Sequence, residues 1–210
     1  MQDVLEQLKA GIRRFQAEVY PEQAEMYHKA ASVPQEPHTF FIACADSRID
    51  PETITQSKPG DLFVLRNIGN MVPPYGEMMG GVSAVIEYAV SLLRVKHIVV
   101  CGHADCGAMK GLLAPESVTS MPAVQNWLKN AATAMSVAEA LGQEHESPAT
   151  LMRRVTEQNA LLQIQHLRTH PSVAGAMARG ELTISGWVYE IGTGEVRIWD
   201  DGAKGFVPVA

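Results

Sequence analysis

Apolar positions near the start of the chain recur at helical spacing: Val4, Leu5, Leu8, Ile12, Phe15 and Val19 share one face. This predicts an amphipathic helix over residues 3–19, interrupted by Pro21, and a second helix over Glu22–Ala31. Such an arm must cover its apolar face, and a second subunit is one answer. A Pro-rich connector, Ser32–His38, leads to a different pattern. Thr39–Ala45, Asp61–Arg66 and His97–Cys101 are short, dense apolar runs rich in β-branched and aromatic residues, which read as buried strands of a mostly parallel sheet. Between and after them, helical spacing covers Pro51 to about Thr55, Gly80–Arg94, Cys106 to about Leu113, Val124–Ala140, Thr150–Arg168 and Pro171–Arg179, with Gly180 fitting the last C-cap. Leu182–Glu190 and Glu195–Asp200 read as strands around the turn Gly192-Thr193-Gly194. Asn67–Met79 is a long polar loop of the kind that is usually functional, and Gly142–Pro148 is a polar break.

Alternating strands and helices predict one α/β domain over residues 1–210. It comprises an N-terminal helical arm, 1–33, and a core, 34–210, with a mostly parallel central sheet of four to five strands flanked by helices. The length suffices for one sizeable core. A net charge of −6 carries no electrostatic footprint for nucleic acid, so no nucleic-acid partner is expected. MQDVLEQLKA lacks the apolar stretch of a secretory signal, and no run approaches the roughly 18 apolar residues of a membrane span. A soluble cytoplasmic protein without a membrane partner is expected.

The candidate chemistry sits at two strand ends. Cys44-Ala45-Asp46-Ser47-Arg48 follows the first strand, and His103-Ala104-Asp105-Cys106-Gly107 follows the third. Ligands of open α/β sheets collect at the carboxyl ends of strands. Cys44, His103 and Cys106 are donors of the kind zinc takes, and three of them leave a fourth position open for chemistry. Taken singly, each also suits an ordinary buried cysteine or a hydrogen-bonded histidine. Three cysteines do not make a disulfide framework and suit reduced thiolates. The H-x-E and P-C-x-x-C signature of zinc deaminases is absent. Asp46 is close enough in sequence to ligate the metal or to accept the proton of its bound water, and Arg48 is placed to pair with it and lower its pKa. Cys101 reads as a buried structural thiol. Gly102 offers backbone freedom, and a bend, just before His103.

The motifs C-x-D-S-R and H-x-x-C-G, with Arg66-Asn67-Ile68-Gly69-Asn70-Met71-Val72-Pro73-Pro74 between them, resemble those of the β-class carbonic anhydrases. GDLFVLRN, GGVSAVIEYAV, VVCGHADCGAMKGLL and Ser185-Gly186-Trp187-Val188-Tyr189 extend the likeness over nearly the whole chain. It is nearest to the bacterial and cyanobacterial branch similar to the plant enzymes. The resemblance implies reversible hydration of CO2 to bicarbonate and a proton by a zinc-bound hydroxide, with one Zn2+ per subunit on Cys44, His103 and Cys106. It implies a catalytic pair Asp46–Arg48 and a substrate pocket of Gln35, Phe63, Tyr88 and the Gly107 N–H. It further implies a homodimer built through the arm, with active sites at the dimer interface, assembling to a tetramer or octamer. Another branch carries a Trp three residues before its first ligand. Phe41 stands there in this chain, so Asp46 is expected to pair with Arg48 rather than bind the metal. Two further readings share the ligand set: a CS2 or carbonyl sulfide hydrolase, and a catalytically silent zinc-binding protein.

Overall fold

The computed structural model describes residues 3–76, 80–143 and 145–209. Residues 77–79 of the expected long loop and residue 144 of the polar break lie outside the described residues. The chain divides into two compact units, one ending at Gln35 and one beginning at Glu36.

In the first unit, Asp3 caps the initial helix by accepting the Leu5 N–H at 3.0 Å. Helix α1 (Val4–Arg14) continues through a wide π turn, Phe15–Val19, into α2 (Tyr20–Ser32). Pro21 therefore does not interrupt the helix, contrary to the sequence expectation. In the π turn the Tyr20 N–H bonds the Phe15 carbonyl, and this puts Pro21 in the first turn of α2, where no N–H is required. Tyr20 and Tyr27 stack at 5.3 Å, with Phe15 edge-on to both. No residue of α1 is buried; Val4 is 68% and Leu8 62% exposed.

The second unit holds a six-stranded sheet in the order β2-β1-β3-β4-β5-β6. The strands are β1 (Thr39–Cys44), β2 (Leu62–Asn67), β3 (His97–His103), β4 (Thr183–Tyr189), β5 (Val196–Asp200) and β6 (Gly205–Pro208). The first four run parallel to their neighbours, while β5 and β6 join antiparallel. The expectation of four to five strands falls short by β6. Four residues ending in Pro208 carry no periodic signal; they form a strand because β5 offers an open edge, where a proline is tolerated.

β1 is central and covered on both faces, which is why Phe40, Phe41, Ile42 and Ala43 are all apolar and fully buried. Phe40 and Ile42 face one core with Ile86, Ile98, Val100, Ile164 and Leu167. Phe41 and Ala43 face the other with Ile49, Val99 and Cys101. The flanking helices are α3 (Pro51–Thr55), α4 (Gly81–Glu87, continued by a π turn to Leu92), α5 (Gly107–Leu113), α6 (Pro122–Leu128), α7 (Ala132–Ala140), α8 (Pro148–Thr169) and α9 (Pro171–Ala178). The single helix expected over 124–140 is two, joined by a 3-10 turn at Lys129–Ala131.

The segment after β2 is buried from Gly69 to Pro73, so its backbone needs partners inside the protein. The Asn67 side chain accepts the Met71 N–H and donates to the Met71 carbonyl, both at 2.8 Å. Helix α8 supplies further partners. Gln163 accepts the Val72 N–H at 2.8 Å and donates to Asn130 and Asn159; Asn159 donates to the Gly69 carbonyl at 3.0 Å. Trp127 of α6 reaches the Ile68 carbonyl at 2.8 Å. Replacing Gln163 by Ala strands the buried Val72 N–H. Urea unfolding is expected to show a loss of about 2 kcal/mol.

At the other end of the sheet, His97 contacts the Thr183 and Ser185 hydroxyls at 2.6 and 2.7 Å. Burial pushes the pKa of His97 below its ordinary 6.5, and burial does the same to His170. A depressed histidine pKa means the unfolded chain binds more protons, so stability falls as pH drops below about 6.5. Unfolding free energies measured from pH 7 to 5 are expected to decline, and less steeply in His97→Gln.

Candidate metal centre

Neighbouring parallel strands bring the ligands together. β1 and β3 are aligned with Ala43 opposite Cys101, so Cys44 and His103 both emerge at the carboxyl edge of the sheet. β3 runs to His103, two residues beyond its expected end. Gly102 continues the strand rather than bending it. A Cβ there would stand 3.1 Å from the Thr156 methyl of α8, so glycine serves close approach. Asp105 turns the chain at φ +59, and Cys106 caps α5.

Cys44, His103 and Cys106 are buried, and their ligand atoms lie within 4.8 Å of one another. The two sulfurs are 3.9 Å apart. Two thiolates, each about 2.3 Å from a tetrahedral zinc, stand about 3.8 Å apart. His103 Nδ1–H donates to the Ala104 carbonyl at 2.8 Å, which leaves the lone pair on Nε2. That Nε2 is buried and has no hydrogen-bond partner. Among the described residues Asn70 Nδ2 is the other such atom. The donor set therefore fits a zinc ion, whose binding would satisfy the orphaned imidazole nitrogen.

The thiols share a proton. A hydrogen bond from Cys106 holds Cys44 well below the ordinary thiol range against the cost of burial, helped by the Gly69 N–H at 3.4 Å. The same bond and burial push Cys106 up. A dication would displace that proton. Burial alone pushes Cys101 up to about 12, so it remains an inert thiol.

Asp46 and Arg48 form a fork. Arg48 donates from Nε to Oδ1 at 2.9 Å and from Nη2 to Oδ2 at 2.8 Å, and its backbone N–H reaches Oδ1 at 3.0 Å. These bonds hold the Asp46 carboxyl far below the usual carboxylate range. Arg66, which sequence reasoning did not single out, donates to the Cys44 carbonyl at 3.1 Å and the Asp46 carbonyl at 2.5 Å. Asn159 and Trp127 were likewise not singled out; they lie about sixty to ninety residues from the loop they hold, and no spacing announces them.

Of the remaining expected residues, Phe63 and Tyr88 lie away from this cluster in the second unit, while Gly107 directly follows Cys106. Phe63 pairs with Phe40 across the sheet, four residues before the Cys44–Asn67 pair, or about 13 Å along the strand. It stacks on half-exposed Tyr88 at 5.9 Å. Gly107 is exposed at the start of α5, and Gln35 is an exposed residue closing the first unit.

This is an α/β protein whose buried Cys44, His103 and Cys106 could hold a thiolate-seeking divalent metal. The family model described as carbonic anhydrase matches residues 39–196. A carbonic anhydrase of Pseudomonas aeruginosa is 43% identical over 210 residues, covering 100% of this chain and 92% of its own length. The solved structure of the β-carbonic anhydrase CcaA matches with a TM-score of 0.93 at 37% identity, over 98% of this chain and 99% of that one. One of two tetrameric β-carbonic anhydrases of Sordaria macrospora matches with a TM-score of 0.80 at 29% identity, over 94% of this chain and 97% of that one. The chain belongs to the β-class carbonic anhydrases, enzymes whose general activity is the hydration of CO2.

Gly69 stands at φ +75, and a Cβ there would come within 2.8 Å of the Ala108 Cβ. Gly69→Ala is expected to cost about 1–3 kcal/mol in unfolding experiments. It should also lower zinc retained after dialysis, measured by elemental analysis, because the Gly69 N–H braces Cys44.

Proposed function

We propose that this chain is a zinc carbonic anhydrase in which one Zn2+ per subunit is held by Cys44, His103 and Cys106. The observation that carries this reading is the buried, unpartnered His103 Nε2 beside two thiols at zinc-ligand separation. Zinc bound there would acidify a water molecule in the open fourth position and so supply the nucleophile for CO2 near neutral pH. Two thiolate ligands balance the metal's charge.

Asp46 would accept a hydrogen bond from such a water and orient it. Its depressed pKa keeps it an acceptor across the working range. Arg48 engages both carboxylate oxygens of Asp46, which would keep them from ligating a bound metal. The Gly107 N–H, in the first turn of α5, and the Gln35 amide donate to the CO2 oxygens as charge develops on them. Phe63 and Tyr88 supply an apolar wall. Their distance along the sheet from Cys44 of the same chain supports a pocket completed by a second copy, with Phe63 and Tyr88 serving the partner's centre. The exposed apolar stripe of α1 supports a homodimer built through the arm. The tetrameric relatives in Sordaria macrospora support assembly beyond the dimer. No described helix is long and apolar enough to cross a membrane, and we place the enzyme in the cytoplasm, where its thiolates stay reduced.

Stopped-flow CO2 hydration at pH about 8.5 on zinc-replete protein tests this reading. Cys44→Ala is expected to lose both metal and turnover. Asp46→Asn is expected to keep zinc and lose turnover by about 100-fold or more. Zinc-replete wild-type protein without turnover would overturn the assignment, and CS2 would be the next substrate.

A further inference from the structure

Between two ligands of the metal centre the backbone is forced into the left-handed region, at Asp105, φ +59. Glycine, asparagine and aspartate bear this conformation at low cost, and glycine bears it best. Only aspartate puts a negative charge there. Its carboxylate accepts a hydrogen bond from Arg48 Nη1 at 3.0 Å and ion-pairs with Lys110 on the other oxygen. Arg48 Nη2 also approaches the Asp105 carbonyl at 3.4 Å. Arg48 is thus gripped on two edges: Nε and Nη2 fork onto Asp46, while Nη1 is held by Asp105. Its side chain is 45% exposed, and a single ion pair at such exposure orients an arginine only weakly. The guanidinium is planar, so fixing its outer edge fixes the inner one.

We propose that Asp105 is a positioning residue for the reaction: it holds the outer edge of Arg48 so that the inner edge stays forked on Asp46, and Lys110 holds Asp105 in turn. This rests on the reading of Asp46–Arg48 as the working pair. Released from the fork, the Asp46 carboxylate is free to turn toward the metal two residues from its own thiolate ligand, where it would occupy the position that the reaction needs open.

Asp105→Gly separates this role from a merely structural one, because it relaxes the backbone while deleting the carboxylate. Its thermal unfolding midpoint is expected to equal or exceed that of the wild type. Its kcat for CO2 hydration is expected to fall about fivefold with KM unchanged, the effect of one exposed charge-assisted contact. Asp105→Asn keeps an acceptor at the same place and is expected to recover part of that loss. The visible absorption of the Co2+-substituted Asp105→Gly protein, which reports the ligand set, is expected to differ from the wild type. Wild-type kcat and an unchanged cobalt spectrum in both variants would overturn the proposal, as would a kcat loss that merely tracks loss of bound zinc. Asp46→Asn, run alongside, distinguishes the two levels. Wild-type turnover in that variant would sink the Asp46–Arg48 reading and this inference with it. Its inactivity together with an unaffected Asp105→Gly would sink this inference alone.

Discussion

The lateral pairing of β1 with β3 is the constraint on which the site depends. The strands are parallel neighbours in register, so they end side by side, and whatever follows one must meet whatever follows the other. Cys44 ends the first and His103 the second; one tight turn after His103 brings Cys106 back to the same point. Burying three polar donors is costly unless they are paired or bind a metal, and the surroundings are built accordingly. Met71, Met109, Val118, Leu128 and Val155 pack a separate apolar cluster around the two ligand cysteines. The segment Asn67–Pro73 crosses beside them with its backbone held by α6, α8 and its own Asn67 side chain. The Gly69 N–H, the one group of that segment bonded to a ligand sulfur, is held in place by the rest.

Outside this apolar shell the charges alternate in sign. Asp46 follows the buried thiols, Arg48 covers Asp46, and Asp105 and Lys110 follow in turn. Opposite charges beside them hold the Asp46 and Asp105 carboxyls below the usual carboxylate range and raise Arg48. The chain of contacts also runs from least to most exposed: Asp46 is 15% exposed and Lys110 55%. Arg48, Asp105 and Lys110 are each about half exposed, so the outer links are screened by salt more strongly than the link to Asp46. Arg66 works differently, through two backbone carbonyls, and anchors the loop that carries Asp46 rather than its charge.

One chain brings Cys44, His103 and Cys106 together but leaves Phe63 and Tyr88 away from them. Phe63 packs tilted on Phe40 and stacks on Tyr88 part-way along the sheet, and α1 presents an uncovered apolar face. In the proposed enzyme both features have the same explanation: a second copy. Apolar side chains left in water along an amphipathic helix favour association by roughly 25 cal/mol for each square ångström covered.

The sequence by itself determined the order of the first five strands, most of the helices between them, the parallel character of the sheet, and the candidate donors Cys44, His103 and Cys106 with the Asp46–Arg48 pair beside them. These rest on local signals: dense apolar runs, helical spacing, and donor residues placed directly at strand ends. Tertiary structure decided the rest. Pro21 stays within a continuous helix because a π turn removes the need for its missing N–H, and no propensity reveals that turn. β6 exists because β5 presents a free edge. Gly102 is glycine because α8 packs close to it, not because the chain bends there. Arg66, Asn159 and Gln163 matter through partners far away in sequence. Asp105 looks like a turn residue until Arg48 and Lys110 are seen on its carboxylate. Contacts between residues distant in the chain carry no periodicity, so only the folded arrangement records them.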